Sequence, residues 1–245
     1  MSFWNKIQKV QDKTRPRCAM VVAAAGASQR MGGENKLLME LDGVPVLQRT
    51  LCAIDSAVLV DEIVVAAREE SLLQVADLCA RAGLRKPIKV VRGGDTRTAS
   101  VLAAALECDP KTELIAVHDG ARPLVQPEQI DELIRLCCRT YAVAPAVPVT
   151  DTIKMADGNG LVQKTLDRSN LYAVQTPQVF QANLLRAALQ KVLADGDTVT
   201  DDCAAMEKIG KEVYLTDGDP ENLKITTPSD LLIAEAILRQ REGRV

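Results

Sequence analysis

The chain has 245 residues, of which 47% are hydrophobic but only 2% aromatic, with a formal net charge of -3 and a pI near 5.4. This is ample apolar material for one α/β domain with an aliphatic core, and the slight acidity excludes the basic face that nucleic acids and anionic lipids select. No apolar run approaches the roughly 18 to 20 residues that cross a bilayer, and residues 1–17 lack the apolar stretch of a secretory leader, so a cytoplasmic protein with no membrane or nucleic-acid partner is expected.

In chain order, residues 1–17 are polar and mixed in charge and read as an N-terminal extension. The first concentrated apolar run, 18–25, ends at Gly26 in the manner of a buried strand entering a loop. Short strand-like runs follow at 62–67, 88–92, 114–118 and 142–147, and apolar residues recur at helical spacing over 46–56, 71–82, 97–106 and 129–141. Strand and helix alternate. The pattern predicts a Rossmann-like α/β fold, a mostly parallel sheet flanked by helices with right-handed crossovers. From 148 to 178 the rhythm breaks, and Asp157-Gly158-Asn159-Gly160 lies between extended runs at 152–155 and 161–166, which predicts a β-hairpin arm within about 149–177. Helical spacing returns at 181–194 and 201–209, a strand is expected at 213–216, and a last helix at 228–241 has Thr226 or Thr227 to cap it and Pro228 in its first turn. One domain over 18–245 with a single excursion is the simplest organisation. The seven cysteines, Cys18, Cys52, Cys79, Cys108, Cys137, Cys138 and Cys203, are odd in number and scattered, and read as reduced core residues; one histidine rules out a His-based metal cluster within a chain.

The loop after the first strand is the first chemical signal. Ala24, Ala25, Gly26 and Ala27 are small enough for backbone amides to approach a triphosphate, and Arg30 and Lys36 add two cations within reach. The spacing matches neither the Walker loop nor the dinucleotide fingerprint, since Gly26 is followed by Gly32-Gly33 and no Gly-Lys-Ser. Two further strands end in motifs that share the same sheet edge, where open α/β sheets bind ligands. Gly93-Gly94-Asp95 follows the third strand, with Asp95 also readable as a helix cap. His118-Asp119-Gly120-Ala121-Arg122-Pro123 follows the fourth; Asp119 suits a cation among phosphates or a salt bridge to Arg122, and His118 reads as a packed strand-end residue. Taken alone, Arg168 and Lys224 are ordinary surface cations.

Ala24-Ala25-Gly26 through Arg30-Met31-Gly32, with Asn35-Lys36 and 41–47, resembles the signature of sugar-phosphate nucleotidyltransferases. The ordered set of Gly93-Gly94-Asp95 with Arg97 and Ser100, 117–123, Gln175-Thr176-Pro177-Gln178 and Asn222-Leu223-Lys224-Ile225-Thr226 is similar to one family among them, the 2-C-methyl-D-erythritol 4-phosphate cytidylyltransferases. The resemblance implies transfer of CMP from CTP to methylerythritol phosphate with Mg²⁺ and release of pyrophosphate. It assigns catalysis to Arg30, Lys36, Arg168 and Lys224, and nucleotide binding to Ala24, Ala25, Gly26, Ala27, Gly94, Asp95, Ser100 and Asp119. Acceptor binding falls to Asp119, Arg122, Thr152, Arg168 and Lys224, and any metal contact, direct or through water, to Asp119. It further implies a homodimer in which the arm carries Thr152 and Arg168 to the neighbour's site. Ala23 and Leu37 depart from the proline and glutamine common in relatives without removing a charge. The competing readings are a ribitol 5-phosphate cytidylyltransferase and a catalytically silent nucleotide-sugar binder.

Overall fold

The computed structural model describes residues 15–26 and 35–243. The first strand, β1 (Cys18–Ala24), is buried on both faces, as its near-unbroken aliphatic run requires. A two-residue ribbon, β2 (Glu40–Leu41) and β3 (Val44–Pro45), turns at Asp42 and Gly43, both at positive φ, and leads into α1 (Val46–Ser56). The chain then alternates β4 (Glu62–Ala67), α2 (Leu72–Arg81), β5 (Ile88–Arg92), α3 (Arg97–Leu106), β6 (Leu114–Asp119), α4 (Pro127–Thr140) and β7 (Ala142–Pro148).

The exposed hairpin β8 (Lys154–Ala156) and β9 (Val162–Thr165) forms a separate antiparallel pair at the place where the glycine-rich turn predicts it. After it come β10 (Tyr172–Val174), β11 (Gln178–Gln181), α5 (Ala182–Ala194), α6 (Asp202–Lys208), β12 (Tyr214–Asp217) and α7 (Pro228–Arg241). At the start of α7 the Asp230 carboxylate accepts the N–H groups of Thr226 and Thr227 at 2.7 Å each, filling donors that the helix leaves open.

In the main sheet β5, β4, β1 and β6 run parallel in that spatial order; β11 follows, antiparallel to both β6 and β7. β7 also pairs with β10, antiparallel, and with β12, parallel. The insertion of β11 between β6 and β7 departs from the purely alternating βα pattern of the sequence. Its four residues follow Pro177, and their hydrophobic content, Val179 and Phe180, is too short a run to stand out among polar neighbours.

Successive residues of β1 face opposite layers. Cys18, Met20 and Val22 pack with Leu47, Leu51 and Ile54 of α1 and Ile130, Leu133 and Ile134 of α4; Ala19 and Val21 pack with Val101 and Ala104 of α3 and Leu185 and Leu189 of α5. Five cysteines are buried as expected, but Cys52 and Cys138 are exposed, on the outward sides of α1 and α4 where the helical period leaves them outside the apolar stripe. Phe180 is fully buried among aliphatic side chains in the second layer. Truncating it to Ala should cost about 3 to 5 kcal/mol of stability, read as a lower denaturant midpoint at unchanged m-value.

Candidate active site

The strand order reverses at β1. The chain builds outward from β1 to β4 and β5, then returns to place β6 on the other side, so the carboxyl ends of β1 and β6 border a topological switch point. Ala23 pairs in register with Asp119, which sets the loop after β1 beside the loop after β6. The Gly120 N–H donates to Ala23 O at 3.1 Å, and Thr50 Oγ1 donates to Gly120 O at 2.9 Å, so this join is fixed from both sides.

The loop after β5 packs on the same edge. Gly93 N–H donates to Ala67 O at 2.7 Å, and a Cβ on Gly93 would lie 2.9 Å from the Ala25 Cβ and 2.8 Å from Ser100 Oγ. A Cβ on Gly94 would lie 2.5 Å from that of Ala99. Only glycine allows the two loops to approach so closely. Ser100 is buried, and its hydroxyl lies 2.8 Å from Thr96 O and 3.1 Å from Gly94 O, fastening the turn to α3. Thr96, and not Asp95, caps α3: its Oγ1 accepts from Ala99 N at 3.1 Å, which leaves the Asp95 side chain at the exposed mouth of the turn.

Asp119, at the end of β6, is the hub of the charges. Lys224 Nζ lies 2.9 Å from its Oδ2, Arg122 Nε 3.5 Å from the same oxygen, and Arg97 3.9 Å from Oδ1. Burial alone would push this carboxyl up, but the charges of Lys224, Arg97 and Arg122 outweigh it and hold the group at about 2. Asp119 is therefore ionised throughout the working range of pH. The segment that carries Lys224 is bracketed: Arg122 NH1 donates to Asn222 O at 2.6 Å, Ile225 N–H to Ala121 O at 2.8 Å, and Lys36 Nζ to Ile225 O at 2.8 Å. Lys36 and Lys224 thus converge on one segment from opposite ends of the sequence.

Behind Asp119 lies a neutral polar chain. Thr176 Oγ1 accepts the Asp119 N–H at 3.1 Å and sits 2.9 Å from His118 Nδ1, while His118 Nε2 lies 3.3 Å from Arg122 O. A carbonyl can only accept, so Nε2 carries the proton and Nδ1 receives the threonine hydroxyl. Burial lowers His118 from its usual 6.5 to about 4, and it serves here as a fixed spacer, as the sequence suggests.

Among the described residues no three His, Cys, Asp or Glu side chains gather into a metal-holding group. One carboxylate already faced by three cations is no cage for a divalent ion. At this edge Asp119 is the carboxylate that could contact a divalent ion, directly or through water.

The family model for 2-C-methyl-D-erythritol 4-phosphate cytidylyltransferase matches residues 18–240. The chain belongs to that family. The cytidylyltransferase of Pelotomaculum thermopropionicum is 40% identical over 232 residues, 94% of this chain and 97% of its own, and that of Caldanaerobacter subterraneus 42% identical over 222 residues, 90% and 98%. The solved 4-diphosphocytidyl-2C-methyl-D-erythritol synthase of Anaerococcus prevotii superposes with a TM-score of 0.81 at 30% identity, covering 91% of this chain and 99% of its own.

Of the residues that the family resemblance singles out, the fold brings Ala24, Ala25, Gly26, Gly94, Asp95, Ser100, Lys36, Asp119, Arg122 and Lys224 to one sheet edge. Ala27 and Arg30 lie outside the described residues. Thr152 and Arg168 stand apart on the arm: Arg168 donates to Thr150 O, and neither pairs with the Asp119 cluster. Leu37 is 4% exposed and packs in the first core layer. The structure adds Arg97, Thr176, Asn222 and Asp202 to the site's polar framework. Arg97, Thr176 and Asn222 stand within motifs already singled out, and Asp202 carries no local signal at all.

His118 makes stability depend on pH. The unfolded chain takes up a proton below about 6.5 whereas the folded His118 resists until about 4, so the unfolded state binds more protons in that window and stability falls with pH. The loss between pH 7 and pH 4.5 should be roughly 2 to 3 kcal/mol from this group. Denaturant unfolding of a His118→Gln protein at the two pH values should show that part of the slope removed.

Proposed function

We propose that this chain transfers the CMP part of CTP to 2-C-methyl-D-erythritol 4-phosphate, releasing pyrophosphate and forming 4-diphosphocytidyl-2-C-methyl-D-erythritol. The observation that carries the reading is the buried, ionised Asp119 with Lys224, Arg122 and Arg97 around it, at the switch point of the sheet and beside the loop after β1, in a chain of this family. In the reaction a phosphate oxygen of the acceptor forms a bond to the α-phosphorus of CTP as the bond to the pyrophosphate oxygen breaks. No proton has to move, so the protein's task is to position two polyanions and neutralise the crowded phosphoryl oxygens.

Lys36 and Lys224 suit that task. Both reach the segment before α7, and Lys224 is half exposed, so its ammonium can meet an incoming phosphate while Asp119 keeps it aimed. The small residues of the loops after β1 and β5 leave room for the cytidine, with backbone groups at Gly94 and the Asp95 side chain available to the base. Arg30 adds a further cation for the triphosphate in this reading. Asp119 would hold a Mg²⁺ ion or its waters, and the ion would neutralise part of the triphosphate's charge.

In the same reading the described fold is one transferase domain from residue 18 onward, working in the cytoplasm. No helix among the described residues is long and apolar enough to cross a membrane. The arm over 149–177 extends to a second copy, so that Thr152 and Arg168 complete the neighbour's acceptor site. Support comes from the exposed apolar side chains Met155, Leu161 and Val162 on the hairpin and from the separation of Arg168 from Asp119 within the chain.

The direct test is pyrophosphate release from CTP and Mg²⁺ with methylerythritol phosphate, ribitol phosphate or no acceptor. Methylerythritol phosphate should be preferred, and release with ribitol phosphate alone would reassign the acceptor. Lys36→Ala and Arg30→Ala should each lower kcat by about 100-fold or more with little change in thermal midpoint. The shared site makes a sharper expectation. Mixing inactive Arg30→Ala and Arg168→Ala proteins should restore up to roughly a quarter of wild-type turnover, because one of the two sites in a mixed dimer is intact.

A further inference from the structure

Asp202 opens α6 with 1% exposure, and neither of its carboxylate oxygens has a hydrogen bond among the described residues. Its neighbour is the Arg97 guanidinium, whose NH2 lies 2.7 Å from Oδ2, a close ion pair without hydrogen-bond alignment. Asp202 is buried whereas the Arg97 side chain is 32% exposed, and burying a carboxylate in such a pair contributes little net stability compared with apolar packing, so its presence in the fold calls for another role. We propose that Asp202 is a positioning residue for the transfer reaction, holding Arg97 so that Asp119 remains the partner of Lys224. This rests on the transfer reading of the site.

Arg97 stands between two carboxylates, with its NH2 2.7 Å from Asp202 and 3.9 Å from Asp119. Attraction falls with distance, so Asp202 takes most of the guanidinium's charge. Asp119 is left to the ammonium of Lys224 at 2.9 Å. The placement of Asp202 is itself built in. Gln178 donates from Nε2 to Asp201 Oδ2 at 2.8 Å and accepts the Cys203 N–H on Oε1 at 3.2 Å, gripping both chain neighbours of Asp202. Gln178 belongs to β11, which pairs directly with β6, the strand that ends at Asp119. The start of α6 and the end of β6 are thereby held at a set spacing, and Arg97 fills the gap. Without the Asp202 charge, the nearest carboxylate to Arg97 is Asp119, and the guanidinium draws it away from Lys224. The acceptor's phosphate then meets a misplaced ammonium, while the small-residue loops on the cytidine side are untouched.

The test is steady-state kinetics of Asp202→Asn, with both substrates varied and the thermal midpoint recorded. The KM for methylerythritol phosphate should rise about tenfold, with kcat and the KM for CTP each within about threefold of wild type. An unchanged acceptor KM, or a rise in both KM values together, overturns the proposal. Arg97→Gln and the double Arg97→Gln, Asp202→Asn protein form the control. If Asp202 acts through Arg97, the double protein has the same acceptor KM as Arg97→Gln alone, and a further rise overturns the proposal. The double protein has no unpaired buried charge, so this comparison also decides the matter should Asp202→Asn alone fail to fold. A wild-type protein that releases no pyrophosphate with any polyol phosphate defeats the transfer reading, and this proposal with it.

Discussion

A carboxylate kept charged inside a protein must be surrounded by compensation, and at Asp119 that compensation comes from three different parts of the chain. Arg122 is local, three residues on in the same turn. Arg97 comes from the start of α3, and Lys224 from the segment before α7. Each cation is itself partnered, to Asn222 O, to Asp202 and to Asp119 respectively, so a shift in any one of these elements is felt by the others. The fold around the site reads as the means of holding this one charge among its partners.

The sheet supplies the fixed points. Parallel pairing of β1 with both β4 and β6 sets Ala23 against Asp119, and antiparallel β11 then locks the other side of β6. From β11 two connections reach the charges: Thr176, just ahead of it, accepts the Asp119 N–H, and Gln178, within it, grips the turn around Asp202. The interior polar groups His118 and Asn222 fill what remains, His118 through Thr176 Oγ1 and Asn222 by donating to Thr176 O at 2.9 Å. A neutral histidine suits this role because it both donates and accepts without adding to a crowd of charges.

Most of this architecture is legible in the sequence, because buried parallel strands are unbroken aliphatic runs and the helices between them carry strong periodicity. The hairpin is legible from its turn residues alone. What escapes is short or non-local. β11 has four residues, and the β2 and β3 ribbon has two in each strand, lengths at which alternation carries no signal. Asp95 can be read as a cap because Asp is a common capping residue, yet Thr96 is one position closer and its hydroxyl reaches Ala99 N. In the candidate site, Gly93 and Gly94 betray themselves by type, whereas Asp202 is an unremarkable acid at the start of a helix. Its meaning appears only when the fold sets α6 against α3, and the contact between Lys36 and Ile225 spans almost the whole chain in the same way. Motif resemblance names such residues only where they fall inside a motif.

The arm leaves the body through β7 and returns through β10 and β11, all three strands of the main sheet. Its tip, by contrast, pairs only with itself and is exposed on both strands. The two ends of the excursion are thus under different tolerances. The hairpin tip can gain, lose or exchange residues without moving a single charge at Asp119, whereas the return over 175–178 carries Thr176 and Gln178 and admits no slippage. The tip can therefore drift in sequence and length while the charges at the base of the arm stay fixed, so the two ends of one excursion are open to change at different rates.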